Sequence, residues 1–179
     1  LGGIDLVKGG VYGRDENNSV GKQGLNGWIF ALLTLDTMGY KTPEGAEFDR
    51  ERILDEIVSS QNTDGGFSLS KGESDIDITA MALQAIAPYY NDFSRDDVRK
   101  SVDKAVEYLS GKQDSSGTFG SAEADSQVVI ALCSLGIDPE ADSRFVKSSD
   151  LLTALLSYQN SDGGFSHEKG GDSDELATG

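Results

Sequence analysis

Apolar residues recur along this chain in two alternating patterns. In the first, they fall three and four apart: Ile53, Leu54, Ile57 and Val58; then Val98, Val102, Ala105, Val106 and Leu109; then Leu151, Leu152, Leu155 and Leu156. That spacing predicts helices with one apolar face resting on a core. In the second pattern the segments are apolar nearly all round: Asn26–Tyr40, Ile76–Ala87 and Ser126–Gly136. Such helices are buried on most sides. The chain is therefore expected to alternate half-buried outer helices with buried inner ones. Its prolines agree, because Pro43, Pro88 and Pro139 fall at or just past the end of an inner segment, and Gly39 and Gly136 add stop signals there. The expected fold class is all-α, divided into units of about 1–45, 46–90, 95–139 and a shortened 143–179.

One phrase punctuates the alternation. "QNTDGGFS" (Gln61–Ser68) returns as "QNSDGGFS" (Gln159–Ser166), with a looser copy, "QDSSGTFG" (Gln113–Gly120), between them. Each copy follows an outer helix and precedes an inner one. Glycine supplies the backbone freedom of a tight reversal, so Asp64-Gly65-Gly66, Gly117 and Asp162-Gly163-Gly164 are read as turns. Gln61, Gln113 and Gln159 can tie loose backbone groups of the helix end or of the next unit. Phe67, Phe119 and Phe165 would anchor the reversal. A phrase used three times is better explained as architecture than as catalysis.

These residues carry a resemblance. The phrase is similar to the glutamine-aspartate-glycine-aromatic repeat of squalene cyclases and protein prenyltransferase β subunits, with Phe where Trp is frequent. The resemblance implies an α/α toroid, two concentric rings of helices, covering about residues 20–179. A closed ring has about six hairpins, so this chain is expected to be a partial α6/α6 barrel and a piece of a larger protein. Open repeat edges would then invite self-association.

Composition narrows the partners. Formal net charge is −16 and the pI is near 4.2. That field repels nucleic acid and anionic lipid, so neither is expected as a partner. No stretch is long and apolar enough to suggest membrane insertion. The one cysteine, Cys133, sits in an apolar run and is read as a small buried side chain. An acidic repeat domain of this kind suits a secreted or cell-surface bacterial protein whose signal peptide lies outside this stretch.

Candidate chemistry centres on "DIDITA", Asp75–Ala80. It resembles the DxDDTA motif of class II terpene cyclases, in which the middle aspartate protonates an alkene or epoxide. That residue would be Asp77, with Asp75 the first aspartate and Ile78 in place of the third. The alternative is that Asp75 caps the helix and Asp77 merely favours its positive end. Acids also open the other inner helices, at Glu123 and Asp125 and at Asp172 and Asp174. The prenyltransferase resemblance implies zinc on Asp, Cys and His, but Ala131 stands two residues before Cys133, and His167 is the only histidine. No metal, cofactor or complement-type thioester is expected. Neither "GRDENNS" nor "GGDSDE" has calcium-loop spacing.

The expected function is accordingly a non-catalytic module or scaffold that binds an unknown small molecule or protein. Binding would occur on the rim where the turns gather, at Phe67, Asp75, Asp77, Phe119, Glu123, Asp125, Phe165, Asp172 and Asp174. The alternative is an enzyme of the class II cyclase or prenyltransferase type with Asp77 as general acid.

Overall fold

The computed structural model describes residues 5–178. Helical turns at Lys8–Tyr12, Glu16–Asn18 and Val20–Gln23 lead into α1 (Leu25–Thr37). Then come α2 (Arg50–Ser59), α3 (Ile76–Ile86), α4 (Asp96–Lys112), α5 (Ala122–Ser134), α6 (Leu151–Leu156) and α7 (Glu175–Thr178). Among the described residues no strand forms; isolated bridges join Phe67 to Asp75 and Gln159 to Phe165.

The two hydropathy patterns become two layers. α1, α3 and α5 pack side by side, α1 against α3 and α3 against α5. α2 lies on α1, α4 on α3 and α6 on α5. Between the layers Ile29, Leu32, Leu35, Leu83, Ile86, Val128 and Leu132 meet Ile53, Leu54, Ile57, Val98, Leu109 and Leu151, all fully buried. Each such side chain contributes about 1.5–3 kcal/mol on leaving water.

Local chemistry sets the helix bounds. Carboxylates cap α2, α3 and α6: Asp49 accepts from the Arg52 N–H at 2.9 Å, Asp75 from Ile78 at 2.9 Å and Asp150 from Thr153 at 2.8 Å. Ser121 caps α5, accepting from Ala124 at 3.2 Å. α5 therefore begins four residues before the apolar run, because its cap, not its hydropathy, starts it. At the far ends Gly39 (φ 61°) and Gly136 (φ 72°) turn left-handed. Tyr40 N–H then reaches Leu35 O at 2.8 Å, and Ile137 N–H reaches Leu132 O at 2.9 Å. This closes the last helical carbonyls.

The repeated phrase builds the same turn each time. Gly65, Gly117 and Gly163 take φ of 90°, 97° and 90°. Asp64 accepts from the Gly66 N–H at 3.0 Å and from the Ser74 hydroxyl at 2.7 Å. Asp162 accepts likewise from Gly164 at 3.0 Å and Ser173 at 2.8 Å. Gln61 Nε2 donates to Gly65 O of its own turn and to Ser101 O of α4, both at 2.8 Å. Gln113 Nε2 does the same to Gly117 O at 2.8 Å and to Phe145 O, in the segment before α6, at 2.9 Å. Gln159 Nε2 meets Gly163 O at 3.3 Å. The first two glutamines thus tie their turn to the next outer element.

The inner helices start at one end. The α1 N-terminus, Leu25 N–H, donates to Leu69 O in the loop entering α3 at 2.8 Å. Ala122 N–H of α5 donates to His167 O, in the loop entering α7, at 3.3 Å. The side of the inner layer turned away from the outer helices stays open, with Phe30 55% and Ile130 49% exposed. Across it Gln84 Nε2 donates to Gln127 Oε1 at 2.8 Å, tying α3 to α5.

Candidate active site

The first turn of α3 places two carboxylates in different roles. Asp75 is exposed, caps the helix, and donates its N–H to Phe67 O at 2.8 Å. Asp77, two residues on, caps nothing. It is half-buried, and its Oδ1 is shielded from solvent without any hydrogen-bond partner. Burial pushes its carboxyl above the usual aspartate range, and the nearby charges of Asp75 and Glu123 push it further. Capping therefore accounts for Asp75 and leaves Asp77 unexplained as a structural residue. Asp77 lines a cleft of about 460 Å³ with Asp75, Ile78 and the 68–73 loop. That loop, bearing Lys71, is a wall the sequence pattern does not single out.

The neighbouring repeat supplies a partner to this site. Glu123 stands two residues past the α5 cap, the position Asp77 holds on α3. Its Oε2 lies 2.9 Å from His167 Nδ1, and this hydrogen bond raises the His167 pKa. His167 is exposed, as a loop histidine should be, but it is engaged. In the third repeat the equivalent position is Leu176, so the acid at this register is confined to the first two.

The other expected rim residues divide. Phe67 is fully buried in the core and presents no surface to a ligand. Phe119 and Phe165 are partly buried. Asp125 is also fully buried. Its Oδ1 accepts from Phe119 N–H at 2.6 Å, and its Oδ2 accepts from the Thr118 hydroxyl at 2.8 Å. The Thr118 hydroxyl in turn meets the Tyr158 hydroxyl at 2.7 Å. Burial pushes the Asp125 carboxyl up to about 6 despite those donors. Its counterparts show why it is there: Thr79 accepts from Phe67 N–H at 2.8 Å, and Thr178 from Phe165 N–H at 3.0 Å. Asp125 does the work of those threonines, and it leaves the rim. Asp174 is exposed and accepts from Ala177 N–H at 2.7 Å. Cys133 departs from expectation too: it is exposed on the open side of α5, because the apolar run continues past the face that the outer layer covers. Among the described residues no three His, Cys, Asp or Glu side chains gather in a way that could hold a metal. None of their helices is long and apolar enough to cross a membrane.

Residues 15–175 match the family model of the prenyltransferase alpha-alpha toroid domain. The chain belongs to the prenyltransferase α/α toroid family. Within that family it is similar to a drimenyl diphosphate synthase from Streptomyces showdoensis, 32% identical over 131 residues. The match covers 68% of this chain and 24% of the synthase, so this toroid segment spans about a quarter of that relative's length. This finding corrects the expectation of a non-catalytic binding module or scaffold. The relative is an enzyme, and the toroid segment here keeps an orphaned, partly buried carboxyl at Asp77 that no structural role absorbs.

Proposed function

We propose that this toroid segment carries the general acid of a protonation-initiated terpene cyclase, with Asp77 as the acid and a linear isoprenoid diphosphate as the substrate class. The observation that carries the reading is the Asp77 carboxyl: partly buried, facing a cleft, unpartnered at Oδ1, and shifted toward its protonated form. A general acid must hold a proton near neutral pH and still release it to a poor base. Burial shifts Asp77 in the direction of the first property, and the neighbouring charges of Asp75 and Glu123 add to that shift. The kinship with a drimenyl diphosphate synthase supports the choice of substrate class.

The Asp77 O–H bond breaks as the proton bonds to the terminal carbon–carbon double bond of the isoprenoid. A tertiary cation remains, and the next double bond attacks it, closing a ring. A carbon beside the final cation gives its proton to water, which restores an alkene, and solvent returns a proton to the Asp77 carboxylate, so the net reaction is an isomerisation. Asp75 is held in place by its cap on the first turn of α3. Ile78, where the resembled motif has a third aspartate, leaves Asp77 without a carboxylate neighbour on that side. The apolar face of Phe30, Met81 and Ile130 on the open side of the inner layer offers a surface for the hydrocarbon.

Asp77→Asn keeps the shape and removes the transferable proton. In the full-length protein, product formation from linear isoprenoid diphosphates, read by gas chromatography with mass detection, should fall by about 10²–10⁴-fold with the melting temperature retained. Undiminished turnover in that variant would refute the assignment.

A further inference from the structure

In a chain with net charge −16, carboxylates compete for every arginine. Five of the six are taken. Arg50 pairs with Asp36, Arg52 with Glu16, Glu47 and Glu56, Arg95 with Glu51, Asp55 and Asp97, Arg99 with Asp96, and Arg144 with Asp142. Arg14 is the exception among the described residues. Its Nε is shielded from solvent and has no hydrogen-bond partner. A guanidinium donor held out of water without an acceptor is costly, and an anion arriving beside it removes that cost.

Arg14 lines a cavity of about 350 Å³ between the N-terminal segment and α1. Val7, Val11, Val20 and Phe30 form an apolar wall. Asn26 lines it too, and its Oδ1 is likewise shielded without a partner. Turned over, that amide offers two further donors to an anion. One charged donor, one adjustable amide and an apolar wall suit an anionic head on a hydrocarbon tail. The cavity also lies in register with Asp77. Asn26 and Phe30 occupy on α1 the turns that Asp77 and Met81 occupy on the adjacent α3, and both helices start at the same end.

We propose that the Arg14 pocket binds the diphosphate head of the linear isoprenoid, so that the tail crosses one inner-helix spacing, about 8–10 Å, toward Asp77. This deepens the cyclase reading and rests on it for the identity of the tail. The guanidinium is matched to phosphate oxygens in a way a lysine is not.

Calorimetric titration of the full-length protein with farnesyl diphosphate, inorganic diphosphate and farnesol tests it. Farnesyl diphosphate affinity should fall roughly 10- to 100-fold in Arg14→Gln and recover in part in Arg14→Lys. It should hold in Lys22→Gln, which removes a nearby exposed charge outside the pocket, and in Asp77→Asn. Farnesol affinity should be unchanged by Arg14→Gln. Asn26→Leu, which leaves every charge in place, should show a smaller loss and carries the test if Arg14→Gln does not fold. Equal farnesyl diphosphate affinity in wild type, Arg14→Gln and Asn26→Leu overturns the proposal, as does an equal loss in Lys22→Gln. If Asp77→Asn abolishes turnover while the pocket variants bind normally, the pocket falls and the acid stands. If the pocket variants lose binding while Asp77→Asn turns over, the pocket stands and the acid falls.

Discussion

At the scale of single residues, three aspartates of one sequence class have three fates. Asp75 serves the backbone, Asp77 serves nothing in the fold, and Asp125 replaces a threonine. The sequence shows all three as acids near a helix start, and only the hydrogen bonds separate them. Asp125 gives a pH prediction with a definite sign. Its folded-state pKa of about 6 lies above the ordinary aspartate value, so the folded chain holds its proton more tightly. The stability this provides is complete below the unfolded pKa and is lost as pH rises through about 6. Substituting Thr, the residue at positions 79 and 178, should keep the Phe119 N–H bond and remove the charge. Asp125→Thr should therefore flatten the decline between about pH 4 and 6, which is on the order of 2–3 kcal/mol. Urea unfolding across that range reads it, and an unchanged slope would place the titration elsewhere. Cys133 and Phe67 teach the same limit. Hydropathy assigns a residue to a segment, but which face it takes depends on the neighbours that cover it.

At the scale of elements, most of the architecture was legible. Two hydrophobic periods, three prolines and a repeated turn phrase are enough to order the inner and outer helices, because burial and chain reversal leave little choice. The bounds were less legible where a cap overrides hydropathy, as Ser121 does at α5. The turns allow a controlled comparison. Gly65 and Gly163 share a φ of 90°, so alanine at either is strained alike. A Cβ at Gly65 would stand 2.6 Å from Lys104 O, whereas one at Gly163 meets nothing within 4 Å. Gly65→Ala should cost clearly more than Gly163→Ala, by about 1–3 kcal/mol. Gln61→Ala should likewise cost more than Gln159→Ala, by about 1–2 kcal/mol, since Gln61 holds the Ser101 carbonyl as well. Thermal melts of the four variants check both differences. Equal losses within each pair would mean that the link between repeats adds no stability.

At the scale of the whole molecule, the acidic balance acts on both stability and chemistry. With 31 acidic against 15 basic residues, screening should relieve self-repulsion, so moderate sodium chloride should raise the melting temperature. The same field disfavours an anionic substrate except where a cation is left uncommitted, which is the condition Arg14 meets. It also acts in the direction that raises the Asp77 pKa, which the proposed acid role needs. The overall field was visible in the composition, but net charge does not say which arginine stays unpaired. Repetition likewise favoured a scaffold over the enzyme alternative, since the proposed acid differs from its repeat counterparts only by being Asp77 where they are Glu123 and Leu176. The central claim is that reaction begins by proton transfer to carbon and not by departure of diphosphate. Turnover in D₂O tests it directly, because Asp77 exchanges with solvent before each cycle. The account predicts a cyclised product carrying one deuteron at the initially protonated carbon, with its diphosphate intact; an unlabelled product, or one that has lost diphosphate, contradicts it.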